Sequence, residues 1–127
     1  MKLFKTVIAA ILVISSVSVN AAYRMNFTAN SQIVISNDEQ SAVIVTKNAG
    51  AIRFARIDGE HNQIDNFGNE YSSDNFLASN GMAISVKIYK NVDLLDVALF
   101  ATNQRTKKLE VINSVTYKAS EVFDTNN

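Results

Sequence analysis

The side chains with the most chemical capacity are gathered in one stretch, Asp58–Asn80 (DGEHNQIDNFGNEYSSDNFLASN). It holds five acids, Asp58, Glu60, Asp65, Glu70 and Asp74, and the only histidine of the chain, His61. Nucleophilic hydrolysis would use His61 as its base. No Cys and no Gly-x-Ser-x-Gly elbow occur, however, and no serine is tied to His61 by spacing. A zinc site would have one His and no Cys, leaving carboxylates to complete four ligands. Calcium suits the hard oxygens of Asp58, Glu60 and Asn62, which sit at alternate positions. Counting from Asp58, though, the helix–loop–helix calcium pattern wants Gly at its sixth position, where Gln63 stands, and Glu at its twelfth, where Asn69 stands. The three residues read instead as a solvated turn whose Asx side chains bond their own backbone. A glycosidase needs two carboxyls held at a fixed separation across a cleft, and nothing singles out two of the five. The sequence therefore predicts a non-enzymatic chain, with no catalytic residue, metal or cofactor.

Recognition is the chemistry left to this segment. Asn and Asp side chains such as Asp58, Asn62 and Asn66, with Glu60 beside them, can bond sugar hydroxyls, and Phe67, Tyr71 or Phe76 can stack on a ring. Set against that is a structural role, in which isolated apolar residues pin a long loop to the core. We read Asp58–Asn80 as a loop of this kind, with short strands around Gln63–Phe67 and Phe76–Ala78. Loops longer than about 12–15 residues are uncommon without a purpose.

The elements that must hold the loop follow from period-2 alternation. The clearest case is Gly81–Ala101, where Met82, Ile84, Val86 and Ile88 share one side. After the break Lys90–Asp93, Leu95, Val97, Leu99 and Ala101 do the same. This predicts a central antiparallel pair with Ile84, Val86, Val97 and Leu99 buried together. Gln32–Ser36 and Ser41–Lys47 are β-branched runs joined by the polar turn Asn37–Gln40, a hairpin signature. Ala51–Ile57 puts Arg56 at an apolar position, a conflict that a bulge near Ala55 would relieve. Lys107–Lys118 is the last long strand, with Leu109, Val111, Val115 and Tyr117 on one side. Glu121–Asn127 reads as a fraying tail. Together these give an all-β fold, an antiparallel β-sandwich or small barrel of about eight strands.

The start of the chain is a different matter. Lys2 and Lys5, the apolar run Thr6–Val19 and the small-residue site Val19-Asn20-Ala21 form a secretory signal pattern with cleavage after Ala21. The run is shorter than the roughly 20 residues of a membrane span. The expected organisation is a signal peptide over residues 1–21 and a single β-domain over 22–127, with no membrane span after cleavage, secreted or periplasmic. Whole-chain charge balances at 12 basic and 12 acidic residues, and loss of Lys2 and Lys5 leaves the mature chain at −2. That argues against nucleic acid, which needs a concentrated basic face. An exported domain without Cys must hold together by burial and sheet pairing alone.

The first mature strand alternates at once, with Tyr23, Met25 and Phe27 on one side. Such a strand pairs within its own sheet or adds to the edge of another molecule's sheet, so these residues are the candidates for self-assembly. The function expected is an exported, non-enzymatic β-domain acting in binding or assembly at the cell surface, with a protein or glycan partner. The alternatives are a soluble periplasmic accessory or inhibitor protein, and a small hydrolase using the acidic segment 58–80.

Overall fold

The computed structural model of the chain describes residues 21–125, and the expected signal peptide, up to its last residue, lies outside the described residues. The chain is all-β and antiparallel. Its strands are β1 (Ala21–Thr28), β2 (Ser31–Ser36), β3 (Ser41–Thr46), β4 (Gly50–Ile64), β5 (Glu70–Ala78), β6 (Ala83–Tyr89), β7 (Leu95–Thr102) and β8 (Leu109–Tyr117), followed by helix α1 (Ala119–Thr125). Two compact units divide within β4, one ending at Arg53 and one beginning at Phe54.

In the first unit β1, β2 and β3 follow one another as an antiparallel meander. Tyr23 pairs with Ile35 and Met25 with Ile33, which in turn pairs with Ile44. Cross-strand partners face the same way, so one face of the meander is continuous aromatic and aliphatic surface. Tyr23, Met25 and Phe27 are all buried on it. The β2–β3 turn is set by Asp38, whose Oδ1 accepts from Ser36 Oγ at 2.7 Å and from the Gln40 amide at 3.0 Å. On the opposite face Val43, Val45 and Gln32 are buried too. This accounts for the unbroken β-branched run of β3, since a strand covered on both sides has no reason to alternate.

In the second unit β4, β5, β6, β7 and β8 also succeed one another in chain order. The expected central pair is β6–β7: Ile84 pairs with Leu99, Val86 with Val97 and Ile88 with Leu95. Ile84, Val86 and Val97 are 0–1% exposed and Leu99 8%. Phe76 extends this inward face across β5, as the partner of Ile84, and Phe54 lies on β4, paired with Ala78.

Several expectations are corrected. Asp58–Asn80 is not a loop; most of it is the β4–β5 hairpin, and only Asp65–Asn69 connects the strands. The polar composition concealed the strands because backbone pairing needs no apolar side chain where both faces meet water. Phe67 does not pin anything, being 89% exposed, and Ile64 and Leu77 are also exposed. The bulge of β4 falls between Arg56 and Asp58, leaving Ile57 as the extra residue. Arg56 keeps its inward position and answers it with an ion pair to Asp74.

A second bulge divides β8. Leu99 pairs with Asn113 and Phe100 with Val111, so Ile112 is extra. Asn113, Val115 and Tyr117 therefore share the inward side, while Leu109 and Val111 fall on the outward one, against the single parity read from the sequence. The tail, as far as Thr125 where the described residues end, is helix rather than frayed chain. Ala119 and Val122 are buried, and Asp93 grips the first turn through Ser120, its Oδ1 accepting from the Ser120 amide at 2.7 Å and its Oδ2 from the hydroxyl at 2.5 Å.

Candidate functional site

The outward face of the second unit is sorted into rows by its register. One row is apolar and crosses all five strands: Ala55, Leu77, Ala83, Phe100 and Val111 are successive cross-strand partners. The next is polar, running from Asp58 through Asn75, Ser85 and Ala98 to Ser114, and Asp58 Oδ1 accepts from Asn75 Nδ2 at 2.7 Å. A third is charged, with Glu60, Ser73, Lys87, Asp96 and Thr116 in line and Thr116 donating to Asp96 at 2.7 Å. Beyond it Tyr71 pairs with Tyr89, their rings 5.5 Å apart and tilted by 44°, and the Lys87 ammonium stands 5.0 Å from the centre of the Tyr71 ring.

The β4–β5 turn closes the far end. Asp65 Oδ1 accepts from the amides of Phe67 and Asn69, both at 2.9 Å, the Asp65 amide donates to the Asn69 carbonyl at 2.9 Å, and the Gly68 amide to the Asp65 carbonyl at 3.1 Å. Gly68 turns the chain at φ +84°, a conformation that costs Gly little and an L-residue more. The backbone on either side of Phe67 is thus held by one carboxylate and a hairpin bond, while the phenyl ring itself is spent on no contact that buries it.

The sequence-singled residues separate on this frame. Phe67 and Asn66 sit in the turn, both exposed. Tyr71 lies one strand position behind it, half-buried against Tyr89 and Lys87. Asp58 and Glu60 share the outward face, two residues apart. Asn62 does not join them in a ligand set: it occupies a register shift at φ +59°, and its Oδ1 accepts from Lys90 Nζ at 2.5 Å. Among the described residues no three His, Cys, Asp or Glu side chains converge as metal ligands. Tyr23, Met25 and Phe27 lie in the other unit, in a strand paired with β2.

Most acids of the segment already have structural duties. Asp74 holds Arg56, Asp58 holds Asn75, and Asp65 holds the turn. The Asn69 amide above all, with help from the Phe67 amide, the Asn69 side chain and the Lys87 charge, keeps the Asp65 carboxyl below its ordinary range, although desolvation pushes the other way. A general acid requires the reverse shift. Glu60 and Glu70 take part in no ion pair among the described residues.

The sequence did not disclose the apolar row. Its members come from five strands, and their alignment depends on bulges at Ile57 and Ile112 that no local pattern marks. No protein-family model, curated protein or solved structure matches this chain.

Proposed function

We propose that this chain is an exported, non-enzymatic β-domain that works by binding a protein partner through the end of its β4–β5 hairpin. The leader pattern of residues 1–21 supports export. One observation carries the binding reading, the display of Phe67. A phenyl ring 89% exposed forgoes the stabilisation that burial supplies, roughly 2 kcal/mol or more. The turn beneath it is nonetheless fully tied by Asp65 and Gly68, so the ring is presented from a fixed backbone. Ile64 adds apolar surface beside it, and Asn66 and Glu70 supply polar groups at the margin. Large aromatics in this setting are the usual anchors of protein interfaces, ringed by polar contacts.

The reading is tested with a photo-reactive phenylalanine analogue placed at position 67, and at Asn48 in the β3–β4 turn as a control, in cells that export the chain. A defined adduct from position 67 alone is expected. Equal labelling from both positions, or none from 67 in exported protein, contradicts it.

A further inference from the structure

Exposed apolar side chains of the second unit gather in groups at opposite ends of its strands. One is the hairpin tip, Ile64 and Phe67, at 65% and 89% exposure. The other is the β8 end of the apolar row, where Leu109, Val111 and Ile112 are 53–55% exposed beside half-buried Phe100. From Leu77 in that row to Tyr71 behind the tip is six positions along β5, about 20 Å at roughly 3.3 Å per residue. The two surfaces therefore cannot meet within one molecule.

Their charges are opposite. The β7–β8 turn, bordering the β8 patch, presents Arg105, Lys107 and Lys108, all exposed and in no ion pair among the described residues. The tip is bordered by Glu60 and Glu70, likewise unpaired among the described residues, and built on Asp65; Lys90 and Lys87 nearby keep their charges in their contacts with Asn62 and the Tyr71 ring, so acids outnumber bases there three to two. The exposed apolar groups at each end thus carry a rim that attracts the other end. Like-charged rims would oppose tip-to-tip or patch-to-patch contact.

We infer that the occupant of the β8 patch is the β4–β5 tip of a second copy of this chain, so that the molecules associate head to tail. Such a contact is heterologous and does not close upon itself in a pair; it propagates into a ring or an open chain. Phe67 and Ile64 of one copy cover Leu109, Val111 and Ile112 of the next, and Glu60 and Glu70 face Lys107, Lys108 and Arg105. This inference rests on the binding reading above and names its partner.

A mixing experiment tests it. The purified chain is followed by sedimentation and light scattering over a concentration series, together with Phe67→Asp, which disables the tip, and Val111→Asp, which disables the patch. Both positions are exposed, and melting curves verify that the variants fold. The wild-type chain is expected to grow with concentration, more weakly as salt rises. Each variant alone is expected to lose at least tenfold in association. An equimolar mixture of the two is expected to form a one-to-one pair that grows no further, because one intact tip meets one intact patch. Lys107→Glu with Lys108→Glu should weaken wild-type growth, and Glu60→Lys with Glu70→Lys in the mixing partner should restore it.

Persistence of self-association in either single variant would reveal a tip-to-tip or patch-to-patch contact and overturn the inference. Failure of the mixture to pair, or a chain monomeric at every concentration, overturns it too. In the monomeric case an adduct from position 67 to a different protein leaves the binding reading standing, and absence of any adduct removes both.

Discussion

Arg56 donates to a single carboxylate oxygen of Asp74, through Nη2 at 2.9 Å and Nε at 3.2 Å. The pair sits at the inward positions of β4 and β5, about a quarter exposed, next to the buried Phe54 and Phe76. It resolves the conflict in the sequence of β4, where a guanidinium occupies an apolar place. Gly59, the register partner of Asp74, makes the room: a Cβ there would lie 2.1 Å from Arg56 Nη2 and 2.8 Å from Asp74 Oδ1. Because both obstructing atoms end flexible side chains, Gly59→Ala is expected to break the ion pair rather than the strand. Its cost should be about 1 kcal/mol or less, as for other partly exposed pairs. It should shrink in an Asp74→Asn background, which denaturant melts of the double-mutant cycle will check.

The β6–β7 core gives a sharper contrast. Val97→Ala or Leu99→Ala should each cost about 2–4 kcal/mol, since both side chains are buried among Ile84, Val86 and Phe76. Lys87→Ala and Asp96→Ala, on the outward face, should stay within about 0.5 kcal/mol. Equal losses in the two sets would mean the faces are assigned the wrong way round.

Removal of the tip ring should leave the fold alone. Phe67→Ala is expected to move the unfolding free energy by less than about 0.5 kcal/mol. Gly68→Ala, one position on, should cost about 1 kcal/mol because its φ of +84° strains an L-residue. A large loss from Phe67→Ala would show that the ring is covered in solution.

The tie between β7's entry and helix α1 carries a pH signature. Asp93 is held below its ordinary value of 3.8 by the Ser120 hydroxyl first and the Ser120 amide second. With a folded-state pKa depressed in this way, the tie contributes above the ordinary carboxylate range and is lost as pH falls through the lowered pKa. The Ser120 amide resonance should titrate with a midpoint below 3.8, and Asp93→Asn should abolish that titration.

Tyr117 acts at the other extreme. Burial pushes its phenol from 10.0 up to about 12. The folded state then holds the proton more tightly than the unfolded one, so this contribution is complete below pH 10 and is lost as pH rises from 10 through about 12. Unfolding free energy measured across that window should fall, and Tyr117→Phe should flatten the fall. Ultraviolet titration of the native chain should show one phenol ionising with a midpoint near 12.

The sequence by itself determined the all-β class and the β6–β7 pair, because alternation of Ile84, Val86, Val97 and Leu99 is a local record of which side is buried. It also determined the β2–β3 hairpin, whose turn chemistry lies in Ser36, Asp38 and Gln40. It could not show that most of Asp58–Asn80 is paired strand, since hydrogen bonding between backbones leaves no mark on largely exposed polar side chains such as those of Asp58, Glu60, His61 and Asn62. The parity of β8 was hidden as well. One extra residue, Ile112, turns Leu109 and Val111 outward while Asn113 and Val115 stay inward, and only the pairing with β7 reveals it. Helix α1 depends on Asp93, nearly a full hairpin away in sequence. Tertiary structure alone decided that Phe67 stands free on a rigid turn, because exposure depends on where the chain does not go. It also decided that five separate strands line up Ala55, Leu77, Ala83, Phe100 and Val111, since register across a sheet is set by pairing energies summed over whole strands.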